Sequence, residues 1–111
     1  TLPSARAGDA DTEFDAFLAR WRAAVAANDV DAVVAMTRLP FLFEGRDHAR
    51  EGMAREVVPA LLTVEVRHCL RTAAPLREDD RYVLSCAPYQ FHLERVDGEW
   101  RWVEFAADGE G

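Results

Sequence analysis

The sequence predicts an α+β domain in which N-terminal helices pack on one face of a curved antiparallel sheet. Apolar residues recur at helical spacing over about the first two thirds of the chain, and they alternate with polar residues, as in strands, over the remainder. Asp97-Gly98 separates the last two strand-like runs and is typical of a tight hairpin turn. Helices followed by a meander of strands are the order expected of an α+β fold.

Apolar stripes define the helical region. The first helix carries its stripe at i, i+3, i+4, i+7 and i+11, on Phe14, Phe17, Leu18, Trp21 and Val25. Asp29 is placed to cap a second short helix, which Pro40 ends. A third helix is predicted over "REGMAREVVPALL", with Met53, Val57, Val58, Leu61 and Leu62 facing inward. Pro59 must kink or end that helix, and Thr63 caps a last helical segment, "VEVRHCL".

Strands are predicted over "FLFEGR", "RYVLSCA", "YQFHLERV" and "EWRWVEFA". The segment "RDHAREGMAR" is predicted as a solvated loop leading into the third helix, and "APLREDD" as a turn. Ala87-Pro88 either turns the chain or introduces a bulge into one long bent strand, and the residues leave both interpretations open.

A two-residue turn at Asp97-Gly98 also predicts which residues of the last hairpin share a face, because directly opposed residues lie on the same side of a sheet. The mixed face is predicted to carry Gln90, His92, Glu94, Val96, Glu99, Arg101, Val103 and Phe105. The aromatic face is predicted to carry Tyr89, Phe91, Leu93, Arg95, Trp100, Trp102, Glu104 and Ala106. Glu94 and Arg101 are expected to form an exposed cross-strand pair, and His92 to be a surface or interface residue.

Glu104 is the candidate for chemistry, because it is the carboxylate on the predicted aromatic face. Loss of solvation there is expected to raise its pKa and to suit it to act as a general acid or base. Two alternatives stay open. A bulge would shift the register and turn Glu104 to solvent, or an arginine from the helices, namely Arg20, Arg22 or Arg38, would pair with it.

Composition excludes several classes of protein. The 111 residues suffice for one domain with a single core. The net charge of −7, from 20 acidic and 13 basic side chains, argues against binding to nucleic acid or to an anionic membrane. The apolar runs are far shorter than the roughly 20 residues that a membrane-spanning helix needs. Histidine and cysteine spacing indicates no metal site, and we expect no cofactor.

Residues 1–11 are predicted to form a flexible leader before a single domain over residues 12–108. Ala5-Arg6-Ala7 has the small-x-small form of a signal-peptidase site, although an Ala-rich tail accounts for it equally well. The expected location is periplasmic or secreted, and otherwise cytoplasmic. Cys69 and Cys86 either pair as a disulfide in an exported protein or remain buried free thiols.

The order of these segments resembles the nuclear transport factor 2-like superfamily, whose α+β cone is of the cystatin-like type. The resemblance is carried by Phe14, Phe17, Trp21, Ala24-Val25, Asp29, Val33, Met36 and Pro40, then by Val96-Asp97-Gly98 and Trp100. The chain is similar in particular to small exported bacterial members of unassigned role. Catalytic branches of the superfamily imply a set of Asp, His or Tyr residues reaching into the cone, and no such pattern matches here residue by residue.

Three hypotheses about function follow. The first is a non-catalytic domain that binds a small apolar ligand or a protein in a pocket lined by Trp21, Phe41, Phe43, Phe91, Trp100, Trp102 and Glu104. The second is an isomerase, dehydratase or cyclase that uses Glu104 as acid or base and Tyr89 as hydrogen-bond donor. The third is a homodimer formed through the sheet face bearing Gln90, His92, Val103 and Phe105.

Overall fold

The computed structural model describes residues 2–107, with side chains from residue 12 onward. Its helices are α1 (Leu2–Ala26), α2 (Val30–Ala35), α3 (Arg50–Gly52), α4 (Val58–Leu61) and α5 (Val64–Leu70), with a π-helical turn at Met53–Val57 between α3 and α4. Its strands are β1 (Phe41–Phe43), β2 (Arg46–His48), β3 (Leu76–Glu78), β4 (Arg81–Cys86), β5 (Tyr89–Val96) and β6 (Glu99–Ala107). The α+β prediction is therefore confirmed. The flexible leader predicted for residues 1–11 lies outside the residues whose side chains are described, and it stays a prediction.

The main sheet has four antiparallel strands in the order β3-β4-β5-β6, and β1 and β2 form a separate hairpin. The strand predictions that correspond to β4, β5 and β6 are confirmed, and Ala87-Pro88 forms the turn between β4 and β5. The loop and turn predictions were wrong where β2 and β3 lie. Each of these strands has only three residues, too few for an alternating pattern, so backbone pairing with β1 and β4 decides their conformation.

The core lies between the helices and one face of the main sheet. The apolar stripe of α1 is buried as predicted, and so are the inward residues predicted for the third helix. Trp21 contacts Phe91 and Trp102, with ring centroids 6.0 and 5.9 Å apart. Burying aromatic rings of this size contributes several kcal/mol of hydrophobic stabilisation in total, at roughly 25 cal/mol per Å².

Capping and proline chemistry set the helix boundaries as the sequence predicts. The Asp29 carboxylate accepts a hydrogen bond from the Ala32 N–H at 3.2 Å, and the Thr63 hydroxyl accepts one from the Val66 N–H at 3.2 Å. Pro59 lies in the first turn of α4, where its missing N–H is tolerated. The third helix is interrupted before Pro59 by the π-helical turn, in which the Val58 N–H donates to the Met53 carbonyl, whereas the sequence predicts the kink or end at Pro59 itself.

The segment after α2 covers part of the edge strand β6. The Arg38 N–H donates to the Trp102 carbonyl at 2.9 Å, and the Trp102 N–H donates to the Met36 carbonyl at 2.9 Å. Thr37, which is buried, forms the parallel bridge to Trp102 between them. These bonds occupy backbone groups that an edge strand otherwise leaves open to another chain.

A disulfide joins Cys69 of α5 to Cys86 at the end of β4, with the sulfurs 2.05 Å apart. Of the two alternatives for these cysteines, the structure has the bonded one. The bond ties the last helix to the core side of the sheet across a sequence separation of 17 residues. Crosslinks of this length stabilise a fold mainly by restricting the unfolded chain.

Replacing both cysteines by alanine is therefore expected to lower the free energy of unfolding by about 3 kcal/mol. Chemical denaturation of the wild type and the double variant measures the difference. As a control, a reducing agent should destabilise the wild type by a similar amount and leave the variant unchanged. A loss below about 1 kcal/mol would show that the crosslink contributes little to this fold.

Candidate functional site

The register of the last hairpin changes at a β-bulge. Leu93 faces Trp102 as predicted, but the next pair is His92 with Glu104, which leaves Val103 as an extra residue in β6. The predicted pairing is confirmed from Val96–Glu99 to Leu93–Trp102 and was wrong beyond it. The prediction that Glu104 lies on the aromatic face was therefore wrong.

Packing explains the bulge. Trp102 and Phe105 are three residues apart, yet both contact Phe41 on the core side, with ring centroids 4.8 and 6.2 Å away. Strand residues alternate between faces, so two residues three apart can share a face only if one extra residue is inserted. A regular strand would bury the Glu104 carboxylate among rings and leave Phe105 outside, which costs far more than the bulge.

The bulge places Glu104 in a cluster of charged and polar side chains on the outer face of the sheet, which we call the polar cluster: Arg81, His92, Glu94 and Glu104. Arg81 donates to the Glu104 carboxylate at 2.9 Å and also pairs with Glu94 and contacts the His92 ring. The His92 Nδ1 lies 3.2 Å from the same Glu104 oxygen. The expected exposed pair of Glu94 with Arg101 was wrong, because Arg101 pairs with Glu99 at 2.7 Å.

Charge pairing determines the protonation state of Glu104. Partial burial alone would raise the pKa of this carboxyl group, but the hydrogen bond and positive charge of Arg81, with a smaller contribution from His92, outweigh it and lower the pKa. The same pairing raises the pKa of Arg81, although burial opposes it. Glu104 is thus ionised near neutral pH, and its environment differs from the desolvated one expected for a general acid.

The imidazole of His92 is enclosed by the polar cluster. Its side chain is only 15% exposed, and Nδ1 is in contact with Arg81 and Glu104. Nε2 is buried and has no hydrogen-bond partner among the described residues. The contacts of Arg81, His92, Glu94 and Glu104 join side chains of β4, β5 and β6 in one polar network.

Tyr89 and Glu104, the two residues of the enzymatic hypothesis, lie on opposite faces of the sheet. The Tyr89 ring contacts Phe91 and Phe105 on the core side, with centroids 6.3 and 5.9 Å away. Glu104 contacts Arg81 on the outer side. The structure therefore does not bring this pair together around one reacting atom.

The predicted pocket is filled by its own side chains. Trp21, Phe41, Phe91 and Trp102 are all 0% exposed, and each of them contacts at least one of the others. Rings without accessible surface cannot line a solvent-filled pocket, so these four residues belong to the core. Trp100 is buried at the edge of a small cleft of about 240 Å³ between α1 and the β5–β6 turn. Only Phe43 of the predicted set borders the larger groove described next.

An open groove, which we call the apolar groove, lies where the β1–β2 hairpin meets the ends of β5 and β6. It has a volume of about 490 Å³ and is lined by Leu42, Phe43, Glu44, Gly45, Ala60, Tyr89, Phe105 and Ala107. Leu42 is 60% exposed, and the Phe43, Tyr89 and Phe105 side chains are partly exposed. Sequence reasoning missed Leu42 and Glu44, and Gly45 was the one turn signal between these short strands, because glycine takes a positive φ without strain whereas glutamate does so rarely.

The sheet face predicted as a dimer interface is also altered by the bulge. Phe105 lies on the core side, next to Phe43 at 5.7 Å between ring centroids, and Val103 is buried. Gln90 and His92 remain on the outer face with the polar cluster. The apolar part of the predicted interface is therefore not on that surface.

His48 is a further residue whose position the sequence did not indicate. It was predicted in a solvated loop, but it is buried in β2 against the Phe43 ring, with centroids 5.9 Å apart. A Cβ atom at Gly52 would lie 2.9 Å from its Nδ1, so α3 packs closely on the imidazole. His48 supports the hairpin that carries Leu42 and Glu44.

Metal sites, membrane spans and known relatives give no further functional assignment for the described residues. Among the described residues, no group of histidine, cysteine, aspartate or glutamate side chains could hold a metal ion. No helix in the described part of the chain is long and apolar enough to span a membrane. Comparison with known proteins finds no matching family model, no matching curated protein and no matching solved structure. These comparisons therefore do not bear on the superfamily resemblance.

The charge pairing of Glu104 predicts a pH dependence of stability. Because its pKa is lowered on folding, the stabilisation is complete above the ordinary value of 4.5 and is lost as the pH falls through the folded value. Glu104→Gln is therefore expected to cost about 0.5–1 kcal/mol near neutral pH, since nearly half of the side chain is exposed and screened. The difference from wild type should shrink below about pH 4.

Denaturant unfolding at several pH values measures this difference. Glu56→Gln, which neutralises an exposed glutamate outside the polar cluster, is the matched control and should show little pH-dependent change. An equal loss for Glu104→Gln at neutral and acid pH would contradict the pairing with Arg81.

Proposed function

We propose that this chain is a non-catalytic binding domain and that the apolar groove holds a small, largely apolar molecule. The observation that carries the proposal is a concave surface at which a 60% exposed leucine, Leu42, lies together with three partly exposed aromatic rings. Exposed apolar side chains in one concave patch are typical of binding sites, whereas single exposed ones need no explanation. The groove volume of about 490 Å³ falls in the range usual for small-molecule sites.

Binding without catalysis is favoured by where the ionisable groups lie. Glu104 and His92 are on the outer face of the sheet and are engaged with Arg81, whereas the apolar groove opens beside Tyr89 and Phe105. The tyrosine hydroxyl and one carboxylate, Glu44, are the ionisable groups among the described lining residues. Such a set can orient a ligand but lacks an acid–base pair.

The wider setting belongs to the same proposal. A cone-shaped domain of the nuclear transport factor 2-like type is supported by the helix and strand order and by the motifs around Asp29 and Val96-Asp97-Gly98. Export to an oxidising compartment is supported by the Cys69–Cys86 disulfide, because such bonds persist mainly outside the cytosol.

Leu42→Thr tests the assignment of the groove. Hexan-1-ol, a soluble apolar probe, is expected to shift the amide NMR signals of Leu42, Ala60, Tyr89 and Phe105, with the saturation curve giving its affinity. The threonine keeps strand propensity but removes apolar contact area, so the affinity should fall about 5-fold.

Leu76→Thr is the matched control. Leu76 is 62% exposed in β3 and does not line the groove, so its replacement removes a similar exposed leucine from a similar three-residue strand. Its affinity for hexan-1-ol should equal that of the wild type. If hexan-1-ol leaves the groove signals unshifted, or if the two variants weaken binding equally, the apolar groove is not the site.

A further inference from the structure

Glu44 gives the apolar groove a negative charge that no other described lining residue balances. It is the only charged residue among the described residues that line the groove. Its side chain is exposed, and no ion pair connects it to a described arginine or histidine. The β1–β2 turn holds it in place, because Glu44 and Gly45 have φ values of 52° and 77°, as a two-residue hairpin turn requires.

The aromatic rings of the groove add negative potential of their own. Phe105 lies 5.7 Å from Phe43 and 5.9 Å from Tyr89 between ring centroids, and it is nearly perpendicular to Tyr89 at 82°. The faces of such rings attract cations that approach within about 6 Å of the centroid. A carboxylate beside aromatic rings attracts a positively charged group and repels an anion.

The cleft near Trp100 has no such excess of negative charge. Arginine and glutamate side chains line it in equal number, namely Glu13, Arg20, Glu99 and Arg101. On the outer face, Arg81 likewise neutralises part of the acidic charge around it. A concavity at the β3–β4 turn, lined by Glu78, Asp79, Asp80, Arg81 and Glu94, is also acidic, but it has no apolar lining residue. The apolar groove differs from both because it joins a carboxylate without a described ion pair to exposed apolar side chains, and the net charge of −7 adds a long-range attraction for cations.

We propose that the ligand of the apolar groove is an organic cation of the alkylammonium class. Its ammonium head group lies beside Glu44 and the rings of Phe43 and Tyr89, and its hydrocarbon chain lies against Leu42, Ala60 and Phe105. This inference rests on the proposed function and adds the sign of the ligand's charge. Glu44 acts as the specificity-determining residue.

Three probes with the same hydrocarbon chain test the charge preference: hexylammonium, hexan-1-ol and hexanoate. Each is titrated into the full chain near neutral pH, and the amide NMR shifts of the groove residues give the affinity. Hexylammonium should bind about 5-fold more tightly than hexan-1-ol, and hexanoate more weakly than either. Glu44→Gln should remove most of the preference for hexylammonium over hexan-1-ol.

Asp15→Asn is the matched control, because it removes one negative charge from an exposed position on α1 that does not line the groove. It should leave the affinity for hexylammonium unchanged. Equal affinities of hexylammonium and hexan-1-ol, or an equal loss in Asp15→Asn and Glu44→Gln, would overturn the charge selection while the proposed function stands. If none of the three probes shifts the groove signals, the proposed function fails and the cation preference fails with it.

Discussion

The need to bury Trp102 and Phe105 on the same side of β6 is the constraint on which the rest of the structure depends. Both rings pack on Phe41, and they are separated by two residues in a strand whose side chains alternate. The bulge at Val103 is the local solution. An unpaired backbone position costs little compared with leaving an aromatic ring in water and a carboxylate in the core.

The bulge places the charged Glu104 and the aromatic Phe105 on different faces of the sheet. Glu104 turns outward and meets Arg81, which also pairs with Glu94, so one arginine offsets part of the negative charge of the outer face. Phe105 turns inward and, with Tyr89 and Phe43, ends the aromatic core at an open edge. The apolar groove exists because the core rings reach the surface at this edge, while Trp21 and Phe91 are wholly enclosed. The polar cluster and the apolar groove thus lie on different faces of the same sheet.

Glu44 differs from the carboxylates of the polar cluster for a related reason. The polar cluster lies on a surface where long side chains from three strands meet, so partners are within reach. Glu44 lies at the tip of a two-stranded hairpin beside aromatic rings, where it forms no ion pair with a described arginine or histidine. An acidic chain can therefore contain both an ion-paired cluster and carboxylates without a described ion pair, of which Glu44 borders the apolar groove.

Local sequence patterns determined the helices and the longer strands of this protein. The stripe from Phe14 to Val25, the caps Asp29 and Thr63, and the Asp97-Gly98 turn all act over a few residues, and each could be predicted from spacing and side-chain chemistry. Two-residue alternation predicted the last hairpin correctly as far as Trp102.

Tertiary packing decided what local patterns leave open. The run Trp102-Val103-Glu104-Phe105 fits either register, and only contact with Phe41 selects the bulged one. The same holds for the short strands β2 and β3, for the bond between Cys69 and Cys86, and for the groove that unites Leu42 with Phe105. These features join residues that are distant in the chain, and the free energy that determines them arises only when the elements meet.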